Sequence, residues 1–385
     1  MVIFGIFSLH LLIFSLKPNM TNGRVYGTLI KKKLNLIQNS FLSWSDKMKI
    51  DQIIVLKESR SNEGRVALTP NAVSLLLKKH ISIPIMIESG AGHLAGLTDQ
   101  EYIKAGATVF TLNSELPSNS LILRVKCPSP ERERLENKLF SENTIMMGFL
   151  DPLDHDTSHI SRWKSQGITL IALELLHLTS EDPRNAQAAM SRFAGELALY
   201  DALKHYEGSL PKKVMVIGTG PAGFSAAITA RNMQLPIQLF GRREHYRKKI
   251  EDEGIIYHVL PMENQPDFIR AYLSDQTIVI TAARNIGEKS PILIDEKSFA
   301  ILPPKSVIVD LSAGEGGSVI GSRQDAIKIV ERDIKIINVS GYPKTLPKEA
   351  SEAFSQCMVN LLQDIIDPTG HIDIIFHSKL TRETR

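Results

Sequence analysis

Short β-branched and aliphatic runs alternate along the chain with longer amphipathic segments. Parallel strands joined by crossover helices produce this alternation. The pattern predicts strands over 52–56, 85–88, 120–125, 144–148 and 169–173. Helical stretches lie between them, such as 71–79, entered through Thr69-Pro70. Threonine suits the cap position there, and proline's fixed φ suits the first helical one. A long helical run from about 186 to 206 ends near Gly208 and Pro211 and is expected to be a spine joining two lobes. A second series of strands follows over 213–218, 237–240, 255–260, 277–281, 307–311 and 334–339. The last helical run, 347–362, is expected to pack back on the first lobe. The expected fold is α/β, with two Rossmann-like lobes, each a mostly parallel sheet with flanking helices, joined by a long helix. The first lobe takes residues 48–185, completed by 341–385, and the second takes 186–340.

Composition changes this picture little. A chain of 385 residues has room for two lobes of ordinary domain size, and 43% hydrophobic with 23% charged residues is an ordinary globular balance. Net charge is +3, with no basic stripe carrying interleaved aromatics, so no nucleic-acid partner is expected. Cys127 and Cys357 stand far apart without metal-ligand spacing and read as reduced thiols. Residues 1–16 are almost wholly apolar, yet they lack a signal peptide's basic start and cleavage site. They also fall short of the roughly 20 residues of a spanning helix. Two readings of residues 1–47 stand: an upstream extension with the start at Met48, or a weak membrane anchor.

The strongest chemical signal is KVMVIGTGPAGFSAAITA, in which an apolar strand runs into Gly218-Thr219-Gly220-Pro221-Ala222-Gly223 and then a small-residue helix start. The first glycine permits the tight turn, the second lets backbone approach a pyrophosphate, and the third permits close helix–strand packing. A lone G-x-G-x-x-G is weak, but the strand before and helix after favour a dinucleotide-binding turn over a decayed or purely structural glycine turn. An NAD site normally carries an acidic residue at the end of the next strand. Here that strand ends in Gly241, Arg242 and Arg243. Losing the carboxylate and gaining two guanidiniums favours NADP(H), while a solvated basic helix start is the competing reading. The strand end at Thr281, Ala282, Ala283 and Arg284, with a turn at Gly287, is a candidate to line the site. So is the loop carrying Asp310, Gly316 and Gly317, although Asp310 reads equally well as a satisfied structural carboxylate. In the first lobe Arg65 and Lys126 are the groups a carboxylate-bearing substrate needs, against a plainer reading as surface or capping charges. No nucleophile elbow, Walker loop or His/Cys metal constellation is visible, and the 11 histidines are scattered.

Five segments occur in the order seen in the alanine dehydrogenase and NAD(P) transhydrogenase family: KESRSNEGRVALTP, ESGAGHLAGLTDQEYIKAGA, KVMVIGTGPAGFSA, KSVIVDLSAGEGG and SGYPKTLPKEASEAF. The resemblance covers about 48 to 367 and is closer to the alpha subunit of proton-translocating NAD(P) transhydrogenase. The ending without membrane helices is similar to versions in which that subunit is split into separate polypeptides. The resemblance implies binding of NAD(H) and hydride exchange with NADP(H) held by a membrane-bound beta subunit. It further implies a separate membrane-spanning alpha part as partner, a homodimer, and a cytoplasmic location peripheral to the inner membrane.

The same resemblance locates departures from the family. Alanine dehydrogenase's substrate arginine and lysine match Arg65 and Lys126, while its catalytic histidine and aspartate fall at Asp151 and Gly314. The family loop that supplies an arginine, a glutamine and an aspartate falls on His177 or Leu178, Asp182 or Pro183, and Asn185 or Ala186. Asp182 is the candidate catalytic residue there, and the ribose-binding aspartate falls at Gly241. The lid between the Tyr257 region and Thr277 is shortened. Two other functions remain open: a soluble NAD(P)-dependent amino-acid dehydrogenase, and a non-catalytic nucleotide-binding subunit.

Overall fold

The computed structural model describes residues 48–78, 83–152, 156–283 and 290–372. The expectations for residues 1–47, for Arg284 and for the turn at Gly287 lie outside the described residues. The chain packs as two units, one running to Ala186 and resuming at Phe354, the other covering Gln187–Ala353. The second crossing falls inside the last long helix, where the sequence pattern placed it at 340/341.

The first unit holds strands β1 (Met48–Lys49), β2 (Gln52–Val55), β3 (Ile85–Glu88), β4 (Thr108–Phe110), β5 (Ser120–Lys126), β6 (Ile145–Phe149) and β7 (Thr169–Ala172). Its helices are α1 (Pro70–Lys78), α2 (Asp99–Lys104), α3 (Pro130–Glu136) and α4 (Ser158–Ser165). A six-stranded sheet runs β4-β3-β2-β5-β6-β7, every pair parallel. β5 and β6 are buried almost throughout, as expected of strands covered on both faces. β4 escaped the sequence pattern because three residues are too few to show an alternation.

Thr69 caps α1, its Oγ1 accepting from the Ala72 N–H at 3.3 Å. A buried ion pair ties β5 to α3, joining Arg124 to Glu136 at 2.7 Å with both side chains 1% exposed. Arg132 adds a second guanidinium to Glu136 at 2.6 Å, so the buried carboxylate serves two cations.

The second unit begins on α5 (Ala186–His205) and contains β8 (Val214–Ile217), α6 (Pro221–Asn232), β9 (Ile237–Gly241), α7 (Arg247–Asp252) and β10 (Ile256–Val259). It continues through α8 (Gln265–Arg270), β11 (Ile278–Thr281), α9 (Glu296–Ile301), β12 (Val307–Asp310), β13 (Ala326–Val330) and β14 (Ile334–Asn338). Helix α10 (Pro347–Ile365) then leads the chain back into the first unit, where β15 (His371–Ile372) pairs antiparallel with β1. Within that unit the Thr69 N–H donates to Ser355 Oγ at 3.0 Å, and the ring of Phe354 meets Phe149 edge-on at 5.7 Å. The end of α10 therefore completes the first unit.

The seven-stranded sheet of the second unit runs β10-β9-β8-β11-β12-β14-β13, parallel except for the edge strand β13. β13 went unrecognised because its sequence, AIKIV, has Ile327 and Ile329 exposed at 54% and 62%, the reverse of a buried-strand pattern. In both sheets the strand order reverses beside the first long strand, between β2 and β5 and between β8 and β11. Open α/β sheets take ligands beyond the carboxyl ends of the strands at such a reversal.

Candidate nucleotide site

β8 is buried along its whole length and delivers the chain to Gly218 at the reversal point of the second sheet. Gly218 has φ +121°, a conformation that side chains rarely adopt, and a Cβ there would stand 2.6 Å from the Ala282 carbonyl oxygen. Its N–H donates to the Phe240 carbonyl at 2.7 Å. A Cβ on Gly223 would stand 1.9 Å from the Gly218 oxygen, so helix and strand meet as closely as backbone allows.

Gly220 differs from both. Its backbone is extended (φ −69°, ψ 176°) and a Cβ there would meet nothing within 4 Å. As N-cap of α6 it offers no side-chain oxygen to the first-turn N–H groups. A helix start of this kind, with positive dipole end and uncapped donors, is suited to a phosphate. The space a Cβ would fill at Gly220 is the cradle that a pyrophosphate needs, so these residues fit a dinucleotide.

The surroundings of the turn assemble from three further strand ends. The Ala282 N–H donates to Ile217 O at 2.8 Å, which sets the end of β11 against the turn. Ala283 O accepts from Ser318 Oγ at 3.4 Å, and Ser318 Oγ lies 2.9 Å from Ser312 Oγ. Asp310, wholly buried, ties this loop down. Its Oδ1 accepts from Thr281 Oγ1 (2.9 Å), Ser312 N (3.0 Å) and Ser312 Oγ (2.7 Å). Its Oδ2 accepts from Ser318 N (2.9 Å) and Val319 N (3.2 Å). The structural reading of Asp310 is the one the geometry supports.

At the end of β9, a Cβ on Gly241 would come within 2.3 Å of Thr219 Cγ2 and 2.7 Å of the Tyr257 hydroxyl. The Tyr257 hydroxyl donates to Arg243 O at 3.0 Å, and burial raises its pKa above the ordinary tyrosine value. Thr219 and Tyr257 therefore occupy the space into which a side chain at 241 would grow. Arg242 and Arg243 are exposed, with the Arg243 guanidinium 6.0 Å from the Tyr246 ring centre. Arg247, in the same basic run, is engaged by Glu244 at 2.5 Å, Glu251 at 2.9 Å and Tyr257 O at 3.1 Å.

Sequence reasoning missed Gly195, in the body of α5. A Cβ there would lie 1.8 Å from Ala222 O, so this glycine lets α5 run against the start of the phosphate-facing helix. A glycine inside an otherwise helical run was the available signal.

The first-unit candidates are all in ion pairs with the chain's own carboxylates or guanidiniums. Arg65, 4% exposed, forks onto Glu63 with contacts of 2.7 and 2.6 Å. Lys126 Nζ contacts Asp151 Oδ1 at 3.1 Å. Asp182 is forked by Arg184 at 2.9 and 2.6 Å, which holds its carboxyl below the usual range, and Arg184 also reaches Asp364 at 2.9 Å. Asn185 Nδ2 donates to Leu178 O and Thr179 O, closing the same loop on itself.

Beside Lys126, Glu58 accepts from the N–H groups of Val125 at 2.7 Å and Lys126 at 3.2 Å. Desolvation dominates there and pushes its carboxyl up to about 7 from the ordinary 4.5. A proton that the folded protein keeps and the unfolded chain releases favours folding at low pH. Glu58 therefore contributes stability that declines as pH rises from about 4.5 to about 7. Thermal melts across that window are expected to show a shallower decline in Glu58→Gln than in the wild type. Parallel profiles would contradict this.

Fold and turn together define a dinucleotide-binding protein of two Rossmann-like units. The chain belongs to the alanine dehydrogenase/PNT family, whose C-terminal domain matches residues 186–384 and whose N-terminal domain matches 54–194. It is 25% identical over 361 residues to the NAD(P) transhydrogenase subunit alpha of Haemophilus influenzae (strain ATCC 51907 / DSM 11121 / KW20 / Rd), covering 85% of this chain and 69% of that one. In Rickettsia prowazekii (strain Madrid E), the first portion of a divided NAD(P) transhydrogenase subunit alpha is 26% identical over 344 residues, covering 81% of this chain and 88% of that one. The alanine dehydrogenase of Bacillus subtilis (strain 168) is 27% identical over 280 residues, covering 69% and 71% of the two chains. Among solved structures, the transhydrogenase from Sinorhizobium meliloti superposes with a TM-score of 0.73 at 26% identity, over 82% of this chain and 93% of that one. Among the described residues no helix is long and apolar enough to cross a membrane.

Proposed function

We propose that the chain is the nucleotide-binding component of an NAD(P) transhydrogenase. It binds NAD(H) on the turn 218–223 and takes part in hydride exchange with NADP(H) held by a membrane-bound beta subunit, while a separate membrane-spanning alpha part and that subunit carry the proton. The observation that carries this reading is Gly220, an uncapped helix start with open space at the reversal of a parallel sheet. The likeness to transhydrogenase subunits over most of the chain supports it. The nicotinamide supplies the hydride chemistry, and no side-chain nucleophile is needed, so the chain's contribution is binding and orientation.

In this reading Gly218, Thr219, Gly220, Pro221, Ala222 and Gly223 hold the pyrophosphate. Gly241, Arg242 and Arg243 face the adenosine end, and Ala283, with Arg284 next in sequence, contributes beside the turn. The loop positions that carry an arginine, a glutamine and an aspartate in the family are changed here. Arg65, Lys126 and Asp182 are the candidate catalytic groups, held in ion pairs with Glu63, Asp151 and Arg184 respectively. The component works as a homodimer on the cytoplasmic side of the inner membrane, held there by its partner subunits.

Titration of the purified chain with NADH and NADPH tests the nucleotide choice. A site for NAD(H) binds NADH at least as tightly as NADPH. A phosphate grip by Arg242 and Arg243 instead makes NADPH the tighter ligand, and Arg242→Ala then weakens it by about tenfold, the worth of one charge-assisted phosphate contact. Equal binding, or a preference for NADH, contradicts the phosphate-gripping role of the two arginines. Binding of neither nucleotide contradicts the transhydrogenase reading itself. Hydride exchange is expected only when the membrane partner subunits are added.

A further inference from the structure

The reversal point of the first sheet carries a second cluster, independent of the glycine turn. Lys126 ends β5 and Arg60 lies in the loop after β2, the two strands between which the order changes direction. Both cations converge on one carboxylate, with Lys126 Nζ 3.1 Å from Asp151 Oδ1 and Arg60 Nη2 3.0 Å from Asp151 Oδ2. Asp151 follows β6 in the left-handed region, at φ +49°, and its N–H donates to Glu174 Oε1 at 2.5 Å. Of the nearby acids, Glu58 accepts from the amides of Val125 and Lys126. Glu174 accepts from the amide of Asp151 through Oε1, its buried Oε2 having no hydrogen-bond partner among the described residues. Among the described residues the ion pairs of Lys126 and Arg60 go to Asp151. The carboxylate is 14% exposed and the cations are 30% and 41% exposed, so solvent reaches the cations more readily than the group they hold.

We propose that Asp151 fills, from within the chain, a site for a small monocarboxylate built by Lys126 and Arg60 at the ligand-binding end of the first sheet. Two cations on one anion, Lys126 by a hydrogen bond to Oδ1 and Arg60 by charge at Oδ2, form a carboxylate site with an internal occupant where such sheets take ligands. External carboxylates must displace a tethered one, whose effective concentration far exceeds theirs. The first unit is thereby closed to amino and keto acids although its lysine anchor is retained.

Removing the occupant tests this. The pair is partly exposed and contributes little to stability, and glycine and asparagine both tolerate a left-handed backbone, so Asp151→Gly and Asp151→Asn are expected to fold. Acetate and pyruvate are titrated into the full-length chain and followed by NMR shift changes. Asp151→Gly is expected to bind both at least about tenfold more tightly than the wild type, and Asp151→Asn to gain less because its amide keeps the volume. Adding Lys126→Met should abolish the gain. The proposal is overturned if neither variant binds acetate more tightly than the wild type, or if the gain survives the loss of Lys126. Nucleotide titration of the same samples reads the second unit separately, so failure there leaves this result interpretable.

Discussion

Gly220→Val is expected to cut dinucleotide affinity by about 10- to 100-fold, equivalent to losing one or two charge-assisted contacts to phosphate, while shifting the melting temperature by no more than about 2 °C. The prediction follows from what each glycine of the turn does. Position 220 has an extended backbone that valine adopts readily, and a Cβ there meets nothing within 4 Å. The added side chain instead fills the space beside the uncapped start of α6. Gly223→Val is the contrasting case, because its Cβ would sit 1.9 Å from the Gly218 oxygen. That variant should lose fold and binding together. Calorimetric titration with NADH and a thermal melt on the same samples separate the two behaviours. Unchanged affinity in Gly220→Val removes the turn from the nucleotide site.

Asp310→Ala is expected to destabilise the second unit by about 3 to 5 kcal/mol, a fall of about 10 °C or more in its unfolding transition. Five donors converge on this carboxylate: Thr281 Oγ1, Ser312 N, Ser312 Oγ, Ser318 N and Val319 N. Alanine leaves buried donors without an acceptor. The isosteric Asp310→Asn should recover little of the loss. At the Oδ2 position the amide nitrogen faces the N–H groups of Ser318 and Val319, and at the Oδ1 position it faces the Ser312 N–H, so either orientation sets N–H against N–H. Denaturant unfolding of the three proteins measures the difference. A cost below about 1 kcal/mol for the alanine variant contradicts the clamp.

Much of the fold was legible in the sequence because its parallel strands are buried, and burial writes itself as unbroken apolar runs such as VMVI over β8. The elements that escaped were those without that signature, the exposed edge strand AIKIV and the three-residue β4. The glycine turn was legible because backbone packing restricts Gly218 and Gly223 to glycine. Pairings across long sequence separations were not. Lys126 read as a group for an external carboxylate, and nothing in its local sequence reveals that Asp151, 25 residues on, already holds it. Glu63 stands two residues before Arg65, yet only the fold shows the fork between them. Asp182 read as a candidate acid although Arg184 stands two residues away, and only the fold brings Asp364, 180 residues from Arg184, onto the same guanidinium.

The contact between Gly241, Thr219 and Tyr257 makes the size of the residue at 241 a property of three positions rather than one. An acidic residue placed at 241 alone meets the Thr219 methyl at 2.3 Å and the Tyr257 hydroxyl at 2.7 Å. Steps toward an acidic position 241 must therefore pass first through a smaller residue at 219 or the loss of the hydroxyl at 257. The order of substitutions along such a route is constrained by packing at 219 and 257.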